Sequence, residues 1–204
     1  ESNQLIENKF YIDIGSSYQF NLPMNRIQES NATIFFECDQ QKIGRYRQPQ
    51  FASRDNFTLI TEKATPKNIV GLIEDTISEK TPKLKNASPD LVDIDIDGYD
   101  FYVLKEIVEN FKPTMFVAEI NEKFPPPIKF TVEYDPDYWW DTSHFYGMSI
   151  SKCYELMQEN GYDLINLTYN NVYAIRKDKN PGLKSLTDVE AYDTFYKKVF
   201  YKVN

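Results

Sequence analysis

The residues with the most chemical content are carboxylates gathered at the ends of apolar runs. In Leu91-Val-Asp-Ile-Asp-Ile-Asp-Gly-Tyr-Asp-Phe101, an apolar, β-branched stretch closes on Asp95, Asp97 and Gly98. Asp13, the pair Glu37 and Asp39, and Glu119 stand in the same relation to three further apolar runs. A carboxylate at the end of a buried strand is costly unless it meets a cation, a hydroxyl or a basic partner. Such a set can hold a divalent ion such as Mg²⁺ through hard oxygen ligands, or accept hydrogen bonds from ribose or sugar hydroxyls. It can also take a proton from a hydroxyl nucleophile, because neighbouring carboxylates raise one another's pKa. The competing, purely structural role of each acid is to cap the helix that follows it.

The elements that must position these acids follow from the hydrophobic pattern. Residues 10–14, 32–36, 57–60, 91–96 and 114–118 are short runs rich in β-branched and aromatic side chains, and they read as strands. Helical patterns lie between them: a mixed stretch up to Ser30, a stripe of Ile69, Leu72, Ile73 and Ile77 opened by Thr65-Pro66, and a stripe running from Tyr99 to Phe111 and stopped by Pro113. A further helix spans 149–160 and ends at Gly161. Residues 162–167 and 172–175 flank Tyr169-Asn170-Asn171 as a tight antiparallel hairpin. Thr187 and Glu190 form a capping-box pair at the start of a last, aromatic helix within 184–204. Alternating strands and helices followed by an antiparallel pair predict an α/β, doubly wound, mostly parallel sheet in one domain over 1–204. In such a sheet the acids share the rim at the C-terminal ends of the strands, where ligands bind. One long irregular segment, 121–147, carries Pro125-Pro126-Pro127, Trp139-Trp140 and the only histidine, His144. Its length marks it as a substrate loop, with the tryptophans as a stacking wall and His144 as a candidate base.

Composition excludes several partners. A net charge of −8 argues against nucleic-acid backbones and anionic membrane surfaces, both of which call for a basic stripe. No run is long and apolar enough for a membrane span. Cys38 and Cys153 are the only cysteines; distant from each other, they supply neither a disulfide framework nor metal-ligand spacing, which points to a reducing, cytoplasmic setting.

Two stretches resemble a known family. Asp13-Ile-Gly15-Ser16 resembles the first motif of class I methyltransferases, acid-x-Gly-x-x-x-Gly, although Phe20 and Asn21 stand where a later glycine is usual. An acid roughly 20 residues past such a turn is where a ribose hydroxyl ligand is expected, which selects Glu37 with Asp39 beside it. The order Asp93-Ile-Asp-Ile-Asp-Gly-Tyr-Asp100, Val117-Ala-Glu-Ile-Asn121, Phe124-Pro-Pro126, Tyr134-Asp-Pro-Asp137, Trp140-Asp141 and Phe145-Tyr-Gly-Met-Ser149 is similar to the FkbM-type branch of S-adenosylmethionine-dependent methyltransferases. The resemblance implies O-methylation of a sugar or polyketide hydroxyl on a seven-stranded class I methyltransferase fold.

It also implies a division of the site. Asp13, Gly15, Ser16, Glu37 and Asp39 would hold S-adenosylmethionine. Asp95 and Asp97, with Glu119, would face the reacting centre as base or Mg²⁺ ligands, and His144 is a further candidate base. Glu119, Asn121, Tyr134, Trp140, Asp141 and Tyr146 would line the side of a small-molecule or glycan acceptor. The aromatic C-terminal helix is a packing element or a homodimer surface. Other chemistries fit the Asp95-Ile-Asp97-Gly98 strand alone: an Asp-x-Asp phosphatase, a metal-dependent glycosyltransferase, or a methyltransferase-like protein that binds without turnover. In the phosphatases, however, this motif follows the first strand, and here three strands precede it.

Overall fold

The computed structural model describes residues 5–15, 24–44 and 54–197. Their strands form one seven-stranded sheet in the order β3-β2-β1-β4-β5-β7-β6. Strands β1 (Phe10–Ile14) and β2 (Ala32–Phe36) are buried at every position, as central parallel strands covered on both faces must be. Strand β3 (Phe57–Ile60) pairs parallel with β2, and β4 (Leu91–Ile94) pairs parallel with both β1 and β5 (Met115–Glu119). The last two strands, β6 (Tyr162–Thr168) and β7 (Asn171–Arg176), form the antiparallel hairpin, with β7 inserted against β5. This mostly parallel sheet with a reversed C-terminal pair is the doubly wound α/β arrangement expected from the sequence.

The chain runs outward from β1 to β3, then returns to lay β4 on the free side of β1. That reversal makes the β1/β4 crevice the topological switch point of the sheet, where ligands of open α/β folds bind.

Helices α1 (Met24–Glu29), α2 (Gln40–Ile43), α3 (Ile69–Lys80), α4 (Asp100–Asn110), α5 (Ile150–Glu159) and α6 (Asp188–Tyr192) are interleaved with the strands. On α4, the stripe of Val103, Leu104, Ile107 and Val108 is buried in the same core as Ile69, Ile73 and Ile77 of α3. Ser149 caps α5 by accepting from the Lys152 N–H, and Thr187 with Glu190 forms the expected capping box on α6.

Several boundaries differ from the sequence pattern, and three of them have a visible physical reason. Helix α3 begins at Ile69 and not at Thr65, because the Thr65 hydroxyl donates to the Asn68 side chain (2.8 Å) instead of capping a helical N–H. Strand β4 stops at Ile94 and not at Ile96, because the next residues turn around the Asp100 carboxylate. The C-terminal helix is only five residues of α-helix followed by a π-helical turn over Asp193–Lys197. There the Tyr192 and Tyr196 hydroxyls bond the Glu122 and Tyr169 carbonyls, so these aromatics serve packing; residues 198–204 lie outside the described residues. Cys38 and Cys153 are free thiols, and no helix among the described residues is long and apolar enough to cross a membrane.

Candidate functional site

The strand ends at the switch point enclose a cleft of about 320 Å³. Its floor comes from the exits of β1 (Ile14, Gly15), β2 (Phe36 to Asp39), β3 (Glu62 to Ala64), β4 (Asp95 to Tyr99) and β5 (Glu119), and its roof from Tyr138, Trp139 and Trp140. Six carboxylates line it against two lysines, Lys42 and Lys63, so a ligand rich in hydroxyls or bearing positive charge suits it better than an anion.

Gly15 fixes the narrowest point. Its φ is +90°, and a Cβ placed there would lie 1.7 Å from the Asp95 carbonyl oxygen. Its N–H donates to the Phe36 carbonyl (3.0 Å), while the Asp95 N–H donates to the Ile14 carbonyl (2.9 Å). The crossing of β1 and β4 thus needs a residue without a side chain, whatever binds above it.

Glu37, at the end of β2, is 5% exposed. One carboxylate oxygen accepts from the Asp39 N–H (2.8 Å), and Oε2 makes no hydrogen bond to any described residue. Burial pushes its pKa up, opposed by the Asp39 N–H and by Lys42. A buried carboxylate oxygen with no partner, facing a cleft, is an acceptor waiting for donors. The ribose hydroxyls of a nucleoside fit that need. Asp39, also on the cleft wall, has the structural role as well: it caps α2 by accepting from the Gln41 N–H (2.8 Å).

The Asp95–Gly98 turn is built around Asp100, which is fully buried. Its two oxygens accept separately from the Ile96 N–H (2.8 Å) and the Gly98 N–H (2.9 Å). With the turn so held, Asp97 takes a left-handed φ of 53° and lines the cleft with Asp95. Glu119 lies within β5 and reaches the same rim, where one oxygen of each of Asp95, Asp97 and Glu119 lies within 4.8 Å of the others. Burial first, and then the neighbouring acids, push Asp95 up to about 7 and Glu119 up to about 10.

These two groups bind protons more tightly folded than unfolded. Their contribution to stability is therefore complete below the ordinary carboxylate range and is lost as pH rises through the raised values. The urea midpoint is therefore expected to fall between pH 5 and pH 9. Glu119→Gln should flatten that dependence; an unchanged slope in the variant would rule out this pair as its source.

Lys63 holds the roof. Its ammonium donates to the Pro136 carbonyl (2.7 Å) and the Tyr138 carbonyl (2.8 Å), and it lies over the Trp139 ring at 4.6 Å. Tyr138 packs its ring on Gly98 and donates its hydroxyl to the Phe145 carbonyl, while the Tyr99 hydroxyl ties the β4 turn to Ala64. Trp139 and Trp140 remain 62% and 45% exposed, large apolar surfaces at the mouth of a polar cleft.

Of the residues singled out from the sequence, the cleft brings together Gly15, Glu37, Asp39, Asp95, Asp97, Glu119 and Trp140. Ser16 lies outside the described residues. Asp13 is fully buried inside β1, in register with Phe35 and Asp93, and does not line the cleft. Asn121 is fully buried and its amide donates to the His144 and Tyr146 carbonyls, so it closes the base of the long loop. Tyr134 packs against the rings of Tyr99 (5.2 Å) and Tyr102 (5.7 Å) on the core side. Asp141 makes a local turn by accepting from the Ser143 N–H, and the Tyr146 hydroxyl bonds Glu122 while its ring supports Trp140 edge-on at 6.1 Å. His144 is exposed on the loop and is not on the cleft wall.

Three functional positions were not singled out by sequence: Glu62, Lys63 and Asp100. Asp100 had a local signal, an acid opening a helix just past a tight turn. Lys63 had none, because its partners lie 73 and 75 residues away.

No protein-family model matches the sequence, and no curated protein matches it. Among solved structures the chain is similar to magnesium protoporphyrin IX methyltransferase from Synechocystis PCC 6803, solved with bound S-adenosylmethionine, at 9% identity and a TM-score of 0.46 over 81% of this chain and 69% of that one. It is similar to an S-adenosylmethionine-dependent methyltransferase from Mesorhizobium loti at 11% identity and a TM-score of 0.47, over 84% and 94%. A protein from Listeria monocytogenes described as a methyltransferase dependent on the same cofactor gives 9% identity and 0.49, over 84% and 94%. With scores below 0.5, function must be read from this chain's own cleft.

Proposed function

We propose that this chain is an S-adenosylmethionine-dependent O-methyltransferase of the FkbM type, acting on a hydroxyl of a sugar or glycan. The observation that carries the reading is Glu37: a buried carboxylate with one unsatisfied oxygen, one strand over from the Gly15 turn, at the switch point of the sheet. Gly15 gives backbone access at that turn, and Glu37 would accept from the ribose hydroxyls, with Asp39 beside it.

When bound, the cofactor supplies an electrophilic methyl group. The chain's task is to orient a hydroxyl oxygen in line with it and to take the proton that the oxygen loses. Asp97 and Asp95 face the cleft where that proton must go, and burial among acids makes one of them basic enough to hold it. Trp139 and Trp140 offer apolar faces for a sugar ring, and the neutral-to-acidic lining suits a polyhydroxylated acceptor.

Calorimetric titration with S-adenosylhomocysteine tests the reading. Wild-type chain should bind it saturably, and Glu37→Ala should weaken binding about tenfold or more, as loss of a charge-assisted hydrogen bond implies. Asp97→Asn should bind it nearly as well as wild type and lose methyl transfer. An equal loss of binding in both variants would undo the division of roles, and no binding to wild type would sink the methyltransferase reading.

A further inference from the structure

One side chain ties the roof of the cleft to the rest of the molecule. Among the described residues, every hydrogen bond made by residues 135–143 stays within the loop 121–147, except the two that the Lys63 ammonium donates to the Pro136 and Tyr138 carbonyls. We propose that Lys63 is a positioning residue that latches the roof over the cleft, so that ligands exchange only when the latch opens. The identity of the ligand rests on the methyltransferase reading; the latch does not.

Lys63 projects from a braced post at the exit of β3. The Asn68 side chain accepts from the Thr65 N–H and hydroxyl (both 2.8 Å) and donates to the Lys63 carbonyl (3.0 Å) and to Glu62 (2.9 Å). From the β4 turn, the Tyr99 hydroxyl donates to the Ala64 carbonyl (3.0 Å). The ammonium that this post presents is directed wholly at the roof. Six carboxylates line the cleft, yet Lys63 is in no ion pair among the described residues. It bonds two carbonyls and sits over the Trp139 ring at 4.6 Å, which sets that indole across the mouth.

The roof is built to move as a unit. Asp135 accepts from the Asp137 N–H (2.9 Å) through its side chain and from the Tyr138 N–H (3.1 Å) through its carbonyl. The Trp140 indole donates to the Ser143 carbonyl (3.0 Å), and Asp141 accepts from the Ser143 N–H (2.9 Å). Beyond Ser143 the loop is pinned: Asn121 holds the His144 and Tyr146 carbonyls, and the Gly147 N–H donates to the Gly98 carbonyl (2.7 Å). Between that pinned base and Lys63 lies a self-bonded tip, with Thr142 at a left-handed φ of 67° beside the base. Few bonds to the body and a fixed base are what a lid requires. Because Lys63 leaves β3 and the roof follows β5, the latch joins the wall that carries Glu37 to the loop that carries the tryptophans.

Chymotrypsin tests the latch on the full chain with no ligand present, because Tyr138, Trp139 and Trp140 are cleavage sites on the roof itself. Native-state cleavage, mapped by mass spectrometry, follows the open population. Lys63→Met keeps the aliphatic stem and removes the ammonium; it should speed cleavage at these sites about tenfold or more, as loss of charge-assisted hydrogen bonds implies. Lys63→Arg, which still donates to carbonyls and stacks on an indole, should stay near wild type. Lys105→Met, on the exposed side of α4, should not change the rate. Should Lys63→Met fail to fold, Lys63→Gln serves in its place. The rate at which labelled S-adenosylhomocysteine leaves, chased by unlabelled ligand, tests the gate, and Lys63→Met should raise it about tenfold or more through the same lost bonds. Equal roof cleavage in wild type and Lys63→Met would overturn the latch, as would an arginine variant no different from the methionine one. Unchanged release would overturn its control of exchange. A wild-type chain that binds no S-adenosylhomocysteine would sink the methyltransferase reading, and the cleavage rates would still decide the latch.

Discussion

Gly15→Ala is expected to eliminate S-adenosylhomocysteine binding and to destabilise the chain by several kcal/mol. The added methyl would stand 1.7 Å from the Asp95 carbonyl oxygen and 2.6 Å from its carbon, both backbone atoms that cannot swing aside. Relief requires β1 and β4 to part at their C-terminal ends, and the Asp95 N–H would then lose the Ile14 carbonyl. Alanine is also strained at φ +90°, a conformation that L residues rarely adopt, at about 1–3 kcal/mol. The sum exceeds an ordinary surface substitution many times over and is a large share of a typical domain's 5–15 kcal/mol. Urea unfolding monitored by circular dichroism measures it. A variant within about 0.5 kcal/mol of wild type, the range of neutral surface changes, would mean that the crevice is wider in solution than the structure has it.

The second large effect is expected from Asp100→Asn, a change that preserves shape and removes a buried charge. Burial pushes the Asp100 carboxyl above the ordinary carboxylate value, and the N–H groups of Ile96 and Gly98 pull it back down. A naive view would therefore expect the neutral amide to stabilise. The geometry argues the opposite. Each carboxylate oxygen accepts from a different N–H, and an asparagine has one acceptor to offer and an NH₂ that would point at the other donor. One buried N–H is left unsatisfied and the charge-assisted character of the other bond is lost, together about 2–4 kcal/mol. The turn that carries Asp95 and Asp97 should loosen with it, and the unfolding midpoint should fall. A variant with an unchanged or higher midpoint would show that the turn holds itself.

The sheet was legible in the sequence because its strands are short runs of β-branched and aromatic residues, and in β1 and β2 burial on both faces leaves a near-continuous apolar signature. Residues 10–14, 32–36 and 57–60 needed nothing beyond that pattern. Strand-end acids were legible for the same reason: a charge at the edge of an apolar run stands out. What sequence could not supply was the length of β4, since its end is set by hydrogen bonds from Ile96 and Gly98 to a side chain further along. The long loop was legible only as a loop. Whether Tyr134 faces the core or the cleft depends on where Tyr99 and Tyr102 sit, and Asn121 is directed inward by carbonyls 23 and 25 residues later. Such placements depend on tertiary contacts that leave no local periodicity.

The roof over the cleft has an optical consequence. Trp139 and Trp140 are the only tryptophans in the chain, and both lie on the segment that Lys63 holds against the mouth of the cleft. The near-ultraviolet emission of the unmodified protein, excited at the red edge of the indole band, originates from that one segment and from no part of the core. An indole stacked beside an ammonium and open to solvent emits differently from one covered by a ligand. The protein therefore carries its own reporter for the mouth of the site, and occupancy can be followed by fluorescence without a label, a coupled assay or knowledge of the acceptor.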